Sequence, residues 1–170
     1  DMYHPDEIPV GPQFLQKPAE NSSLVNRMLA DYFMQAEWEG QDLSTEAGCR
    51  RMRAQYLGLV TLVDRAMGAI LDALEESGQA ENTIVVFTSD HGDMMGDPGQ
   101  FAKGVLYEEA VRVPFLMRVP WLQRERRDIG GNFSQIDLVP MLLDLLGEAV
   151  PGGLQGQSRV PVLRGEERLE

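Results

Sequence analysis

Asp90 and His91 stand side by side in IVVFTSDHGDMMGDPGQFAKG, residues 84–104, and a single lysine, Lys103, follows near the end of the same stretch. A carboxylate and an imidazole can both coordinate a divalent cation, and Asp93 and Asp97 add negative charge nearby. Lys103 offers an ammonium that can meet an anion or simply lie in solvent. The spacing departs from an EF-hand loop, which needs carboxylates at alternate positions, a central Gly and a closing Glu. No second His shares a helix face with His91, so a zinc-helix signature is absent too. TSDHG is not the G-x-S-x-G elbow of a hydrolase nucleophile either. Metal ligation is one reading of the pair. The other is an Asp that caps the turn after a strand, with His91 a polar loop residue.

The elements that position these groups follow from periodicity. TIVVFT, just before them, is a near-continuous apolar and β-branched run without alternation, as in a strand covered on both faces of a parallel sheet. Ligands of open α/β sheets bind beyond the carboxyl ends of strands, which is where Asp90 and His91 fall. A second strand is expected at VPFLMRV. Upstream, Asn21 or Ser22 can cap a helix whose buried face is Val25, Met28, Leu29, Tyr32 and Ala36. After the polar break EGQDLSTEAG, a longer helix carries the stripe Tyr56, Leu59, Val60, Val63, Met67, Ile70, Leu71 and Leu74, and Gly78 stops it. Gly58 and Gly68 inside that helix each cost about 1 kcal/mol against Ala, so close packing against a neighbour is expected there. A last helix is expected at DLVPMLLDLLG, capped by Asp137, with Pro140 in its first turn and Gly147 at its end. Residues 1–20, with Pro5, Pro9, Pro12 and Pro18, read as an extended arm, and residues 150–170 as a loop-rich tail. Helix, buried strand, loop, strand, helix is an α/β order.

Bulk composition narrows the classes. The 170 residues suit one domain, and a 43% hydrophobic fraction argues against disorder. Twenty-seven acidic against 15 basic residues, a net charge of -12, disfavour nucleic acid as a partner. No window approaches the ~18 uninterrupted apolar residues of a membrane span. Cys49 is alone, so no disulfide can form within the chain. In a helical stretch it reads as a small packed residue rather than a nucleophile.

One long segment, ENTIVVFTSDHGDMMGDPGQFAKGVLYEEAVRVPFLMRVP, resembles the sulfatase family, within the alkaline-phosphatase-like superfamily. Members carry a strand ending in S-D-[HN]-G, then a G-[DE]-x-G loop, a lysine, and a Y-E-E-x-x-R-V-P segment. YLGLVTLVDRAMGAILDALEESG resembles the helix before that strand, and SQIDLVPMLLDLLG with LQGQSRVPVLRG resembles the segment that closes the catalytic core. DMYHPDEIPVGP is similar to the arm where the second half of such enzymes begins. The resemblance implies a layered α/β fold with a mainly parallel sheet flanked by helices. It implies Asp90 and His91 as ligands of a divalent metal, most often Ca²⁺, and Lys103 as a catalytic contact to the sulfate oxygens. His91 in place of Asn is a softer ligand, which also admits Mn²⁺. The implied substrate is a small-molecule or carbohydrate sulfate ester.

Two departures stand out. Pro98 occupies a position where many relatives have a His. The family's nucleophile motif C/S-x-P-x-R, whose Cys or Ser becomes formylglycine, is absent, and Cys49 in CRRMR cannot take its place. The paired acidic metal ligands near the family's N-terminus, and its mid-chain His and Lys, are missing as well. The chain is therefore expected to be the second half of a sulfatase, cut just before Asp1, with self-association through the exposed cut face. Two rival readings are a phosphonate or phosphodiester hydrolase of the same superfamily, and a non-catalytic fragment acting as a binding module.

Overall fold

The computed structural model describes every residue except Asp1, Ala36, Glu39, Gln123, Arg124 and Glu170, and for Glu37 and Trp38 the backbone alone. Its longest element starts where Thr45 accepts the Gly48 amide on its hydroxyl at 3.1 Å, which satisfies one of the orphan donors of a helix start. Helix α2 then runs over Glu46–Glu76 and ends at Ser77, with Gly78 in the left-handed conformation (φ +71°) that a residue without Cβ adopts freely. Ahead of it lie α1 (Leu24–Gln35) and a short antiparallel hairpin, β1 (Glu37–Trp38) with β2 (Gln41–Asp42), paired Glu37 to Asp42 and Trp38 to Gln41. After α2 come β3 (Val85–Thr88), α3 (Glu108–Val111) and β4 (Phe115–Arg118), and β3 and β4 pair into a two-stranded sheet. Helices α4 (Leu138–Leu145) and α5 (Val160–Arg164) complete the order. The chain divides into two compact units, Asp1–Ala80 with Val86–Met117, and Glu81–Val85 with Arg118–Glu170. Among the described residues no helix is long and apolar enough to cross a membrane.

In the first unit the arm lies along α2. The Arg50 guanidinium donates to the carbonyls of Asp6 and Ile8, Arg53 donates to that of Pro9, and the Tyr3 and Thr61 hydroxyls meet at 2.7 Å. The core here is Phe33, Leu43, Cys49 and Phe101, with Val10 and Phe14 of the arm packed against it. The rings of Phe33 and Phe101 meet edge to face, 6.0 Å apart.

Several expectations are corrected. Helix α1 starts at Leu24, with Ser23 as its cap through the Asn26 amide, not at Asn21 or Ser22. Ala30 and Phe33 are buried, with Phe33 against Phe101, and Leu29 packs half-buried on the same core as expected; Val25, Met28 and Tyr32 are exposed, and Ala36 lies outside the described residues. On α2 the stripe from Tyr56 through Leu59, Val63 and Ile70 is at helical spacing but also exposed. A Cβ added at Gly58 or Gly68 meets nothing within 4 Å, so no described neighbour presses on either glycine. Strand β3 is half-buried rather than covered on both faces, with Phe87 exposed.

In the second unit α4 packs on α5, and Gly147 (φ +74°) ends α4. Asp137 does not cap α4 through its side chain. It turns instead to the Gln157 amide at 3.0 Å and to Arg159 Nε at 2.7 Å, with 4% of its side chain exposed. Burial pushes this carboxyl upward, but the Gln157 amide and the hydrogen bond and charge of Arg159 outweigh it and hold the group below the usual carboxylate range. A carboxyl with a lowered folded pKa adds stability above its unfolded pKa, and loses it as the pH falls through the folded value. Arg159→Ala, which strands a buried carboxylate, is expected to cost about 3 kcal/mol in urea denaturation at neutral pH. Asp137→Asn is expected to flatten the acid limb of stability against pH.

Candidate functional site

The chain leaves β3 through a tight polar turn. Ser89 donates its hydroxyl to the His91 carbonyl at 2.7 Å, and Asp90 Oδ1 accepts the His91 amide at 2.9 Å. That amide, helped by the charge of the His91 ring and by the Ser89 hydroxyl against some desolvation, holds the Asp90 carboxyl below its ordinary range. Asp90 is 84% exposed in its side chain, and its Oδ2 lies 3.5 Å from His91 Nε2. The other ring nitrogen, Nδ1, sits 2.9 Å from the Gly92 carbonyl. A carbonyl oxygen only accepts, so Nδ1 carries the proton of this bond, and in the neutral form of the ring the lone pair free for a ligand is on Nε2. Metal-ligating imidazoles are fixed in this way.

Past Gly92 the loop folds back on itself. The amides of Gly92, Met94 and Gly96 donate to the carbonyls of Ala110, Ala102 and Gln100 at 2.8, 2.9 and 2.7 Å. Gly92 has to be glycine, because a Cβ there would stand 1.9 Å from the Glu109 carbonyl oxygen. Met94, Val105 and Ala110 form a small core beneath the loop. Gln100, 1% exposed, donates its amide to the Asn26 carbonyl of α1 at 3.3 Å.

The four carboxylate and imidazole candidates separate. Asp90 and His91 face one another at the end of β3. Asp93 gives one oxygen to the Met95 amide at 2.9 Å and so shapes the turn, while Asp97 is paired with Arg53 at 2.9 Å. Among the described residues no group of three or more His, Cys, Asp or Glu could hold a metal ion. Lys103 is exposed, between Ala102 (φ +59°) and Gly104 (φ +103°), and the Ala102 bond to Met94 brings this backbone beside the outgoing limb of the loop. Among the described residues Lys103 makes no hydrogen bond or ion pair with Asp90 or His91. Cys49 is fully buried, and burial pushes its thiol upward although Arg53 pulls the other way, so it is packing rather than a nucleophile.

Ser89, Arg53 and Gln100 hold the loop and were not singled out by spacing. Ser89 stands inside the S-D-H-G run, and Arg53 inside CRRMR, but neither motif says where the side chain reaches. As a donor set, one ionised carboxylate and one imidazole with its far nitrogen anchored fit two positions around a divalent cation.

A family model described as Sulfatase matches residues 5–148. The chain is 36% identical over 133 residues to the multifunctional alkaline phosphatase superfamily protein PehA of Trinickia caryophylli, across 78% of this chain and 26% of that protein. It is 39% identical over 111 residues to the N-acetylglucosamine-6-O-sulfatase of Bacteroides thetaiotaomicron, across 65% of this chain and 20% of that one. Among solved structures, the phosphonate monoester hydrolase of Silicibacter pomeroyi superposes with a TM-score of 0.80 at 29% identity, over 98% of this chain and 33% of that chain. The chain thus spans about a third or less of the length of these proteins. Its α/β fold is the alkaline-phosphatase-like one. With most of its residues under the family model and a turn of sequence S-D-H-G closing β3, the chain belongs to the sulfatase family.

Proposed function

We propose that residues 1–170 are the C-terminal portion of the catalytic domain of a metal-dependent sulfatase. In this reading Asp90 and His91 hold the cation, Ca²⁺ first and Mn²⁺ second, and Lys103 receives the sulfate group of a small-molecule or carbohydrate ester. The observation that carries it is the His91 ring, anchored at Nδ1 on the Gly92 carbonyl with Nε2 turned toward Asp90 Oδ2. Hydrolysis breaks the ester S–O bond, and negative charge builds on the leaving oxygen. An ammonium at the sulfate oxygens offsets the negative charge of the group being transferred, and Lys103 has the exposure to reach an incoming anion. Asp90, like any exposed carboxylate, is ionised at neutral pH, and the His91 amide further favours its charged form. A cation held by Asp90 and His91 would supply Lewis-acid polarisation of the sulfate group. The attacking formylglycine lies outside this chain, which contains no C/S-x-P-x-R motif.

The likeness to the phosphonate monoester hydrolase of Silicibacter pomeroyi favours a second reading, hydrolysis of phosphonate or phosphate esters on the same scaffold. The longer enzyme carrying this chain tests both. Higher kcat/KM on 4-nitrophenyl sulfate than on bis(4-nitrophenyl) phosphate or a phenylphosphonate ester supports the sulfatase; the reverse order replaces it with the second reading.

Two expectations concern the chain by itself. Hard cations such as Ca²⁺ take about six to eight oxygen ligands, and this chain offers one carboxylate and one imidazole. Titration calorimetry is expected to give a Kd for Ca²⁺ no tighter than about 0.1 mM. Micromolar binding that disappears in Asp90→Ala would show a complete shell within these residues. The exposed stripe on α2, Leu59, Val63 and Ile70, is an apolar surface of the kind that proteins keep covered. Sedimentation velocity is expected to show association that rises with concentration and falls in Leu59→Lys/Val63→Lys. A monomer at every concentration contradicts it.

A further inference from the structure

We infer that Arg53 is a positioning residue for the loop that carries Asp90, His91 and Lys103. The inference rests on the sulfatase reading only for its effect on turnover; its effect on the loop stands on geometry. The Arg53 side chain is 15% exposed and its fork is spent on three separate acceptors. Nε donates to the Met95 carbonyl at 2.8 Å, Nη1 to the Pro9 carbonyl at 3.0 Å, and Nη2 to Asp97 Oδ2 at 2.9 Å. One side chain on α2 thereby ties the arm and two points of the loop.

The point it grips is strained. Met95 has φ +49°, a left-handed conformation that costs a residue with a Cβ about 1–3 kcal/mol and persists only where neighbours over-determine it. Here Arg53 holds the Met95 carbonyl while Asp93 Oδ1 holds its amide. The arm closes in from the other side, so near that a Cβ on Gly11 would fall 2.2 Å from Asp97 Oδ2. Met95 lies between His91 and Lys103 in sequence, and the ladder Met94 to Ala102 and Gly96 to Gln100 converts its conformation into the placement of the returning limb. A lysine at position 53 keeps the charge, yet a single ammonium lacks the planar fork that meets three acceptors in fixed directions.

The test reads loop order and turnover separately. Amide hydrogen exchange on the 170-residue chain compares wild type, Arg53→Lys and Asp97→Asn. In Arg53→Lys the Met94 and Gly96 amides are expected to exchange about tenfold faster or more, with residues 62–71 of α2 unchanged. Asp97→Asn, which leaves the bonds to Met95 and Pro9, is expected to accelerate them less. In the longer sulfatase, Arg53→Lys is expected to lower kcat about tenfold or more on 4-nitrophenyl sulfate, with KM and Tm nearly unchanged. Unchanged exchange at Met94 and Gly96, or acceleration spread evenly over α2, overturns the inference. So does accelerated exchange with kcat intact. If the wild-type enzyme turns over no sulfate, the sulfatase reading fails instead, and the exchange comparison still decides whether Arg53 orders the loop.

Discussion

The purified 170-residue chain is expected to hydrolyse no aryl sulfate above the rate of its own Lys103→Ala variant. The reason is chemical rather than conformational. Of the groups a sulfatase needs, this chain offers two candidate cation ligands and one ammonium, and it contains no C/S-x-P-x-R motif to supply a nucleophile. Residues of one catalytic unit act together, so losing the nucleophile alone removes on the order of 10⁶ of the rate in a well-studied hydrolase. Continuous release of 4-nitrophenol from 4-nitrophenyl sulfate checks this with Ca²⁺ or Mn²⁺ present. Turnover that depends on Lys103 would mean that a nucleophile lies within these residues after all.

In a longer sulfatase that carries this chain, Lys103→Ala is expected to lower kcat/KM by about 10² to 10³, the scale of removing one preorganised charge-stabilising donor. Lys103 is exposed and outside both cores of its unit, so thermal stability should move little, within about 0.5 kcal/mol. Lys103→Arg keeps the charge and is expected to recover part of the rate. The informative comparison is between substrates. A lysine that neutralises sulfate oxygens acts on every ester alike, so the loss should be the same for good and poor leaving groups. A loss confined to poor leaving groups would assign Lys103 to the leaving oxygen instead.

The position of Asp90 and His91 in the fold was legible because it rests on local pattern. The apolar run TIVVFT does form a strand, although the described strand is shorter, Val85–Thr88, and Asp90 and His91 do follow its end. Gly78 and Gly147 sit in left-handed conformations at helix ends, where a residue without Cβ belongs. What periodicity could not supply was the identity of the covering neighbour. The stripe on α2 has helical spacing but remains exposed among the described residues, in a chain that spans about a third or less of its relatives. On α1 the same ambiguity picked Val25, Met28 and Tyr32, whereas the burial went to Ala30 and Phe33. Strands β1 and β2, two residues each, are too short to leave a pattern. In the loop, a polar composition concealed Phe101 and Gln100, whose burial comes from partners far away in sequence.

The depth difference between the Asp90 carboxylate and the Arg53–Asp97 ion pair makes salt act on them unequally. Mobile ions screen charges over about 8 Å at physiological ionic strength, but only where solvent can reach. Asp90, 84% exposed beside His91, lies within that atmosphere, so added salt weakens the field that this carboxylate presents to an approaching cation. Arg53 and Asp97, 15% and 22% exposed, are largely sheltered from it. Rising ionic strength should therefore disarm the mouth of the site while leaving its frame standing, and a chain recovered from brine should regain its cation affinity on dilution without refolding.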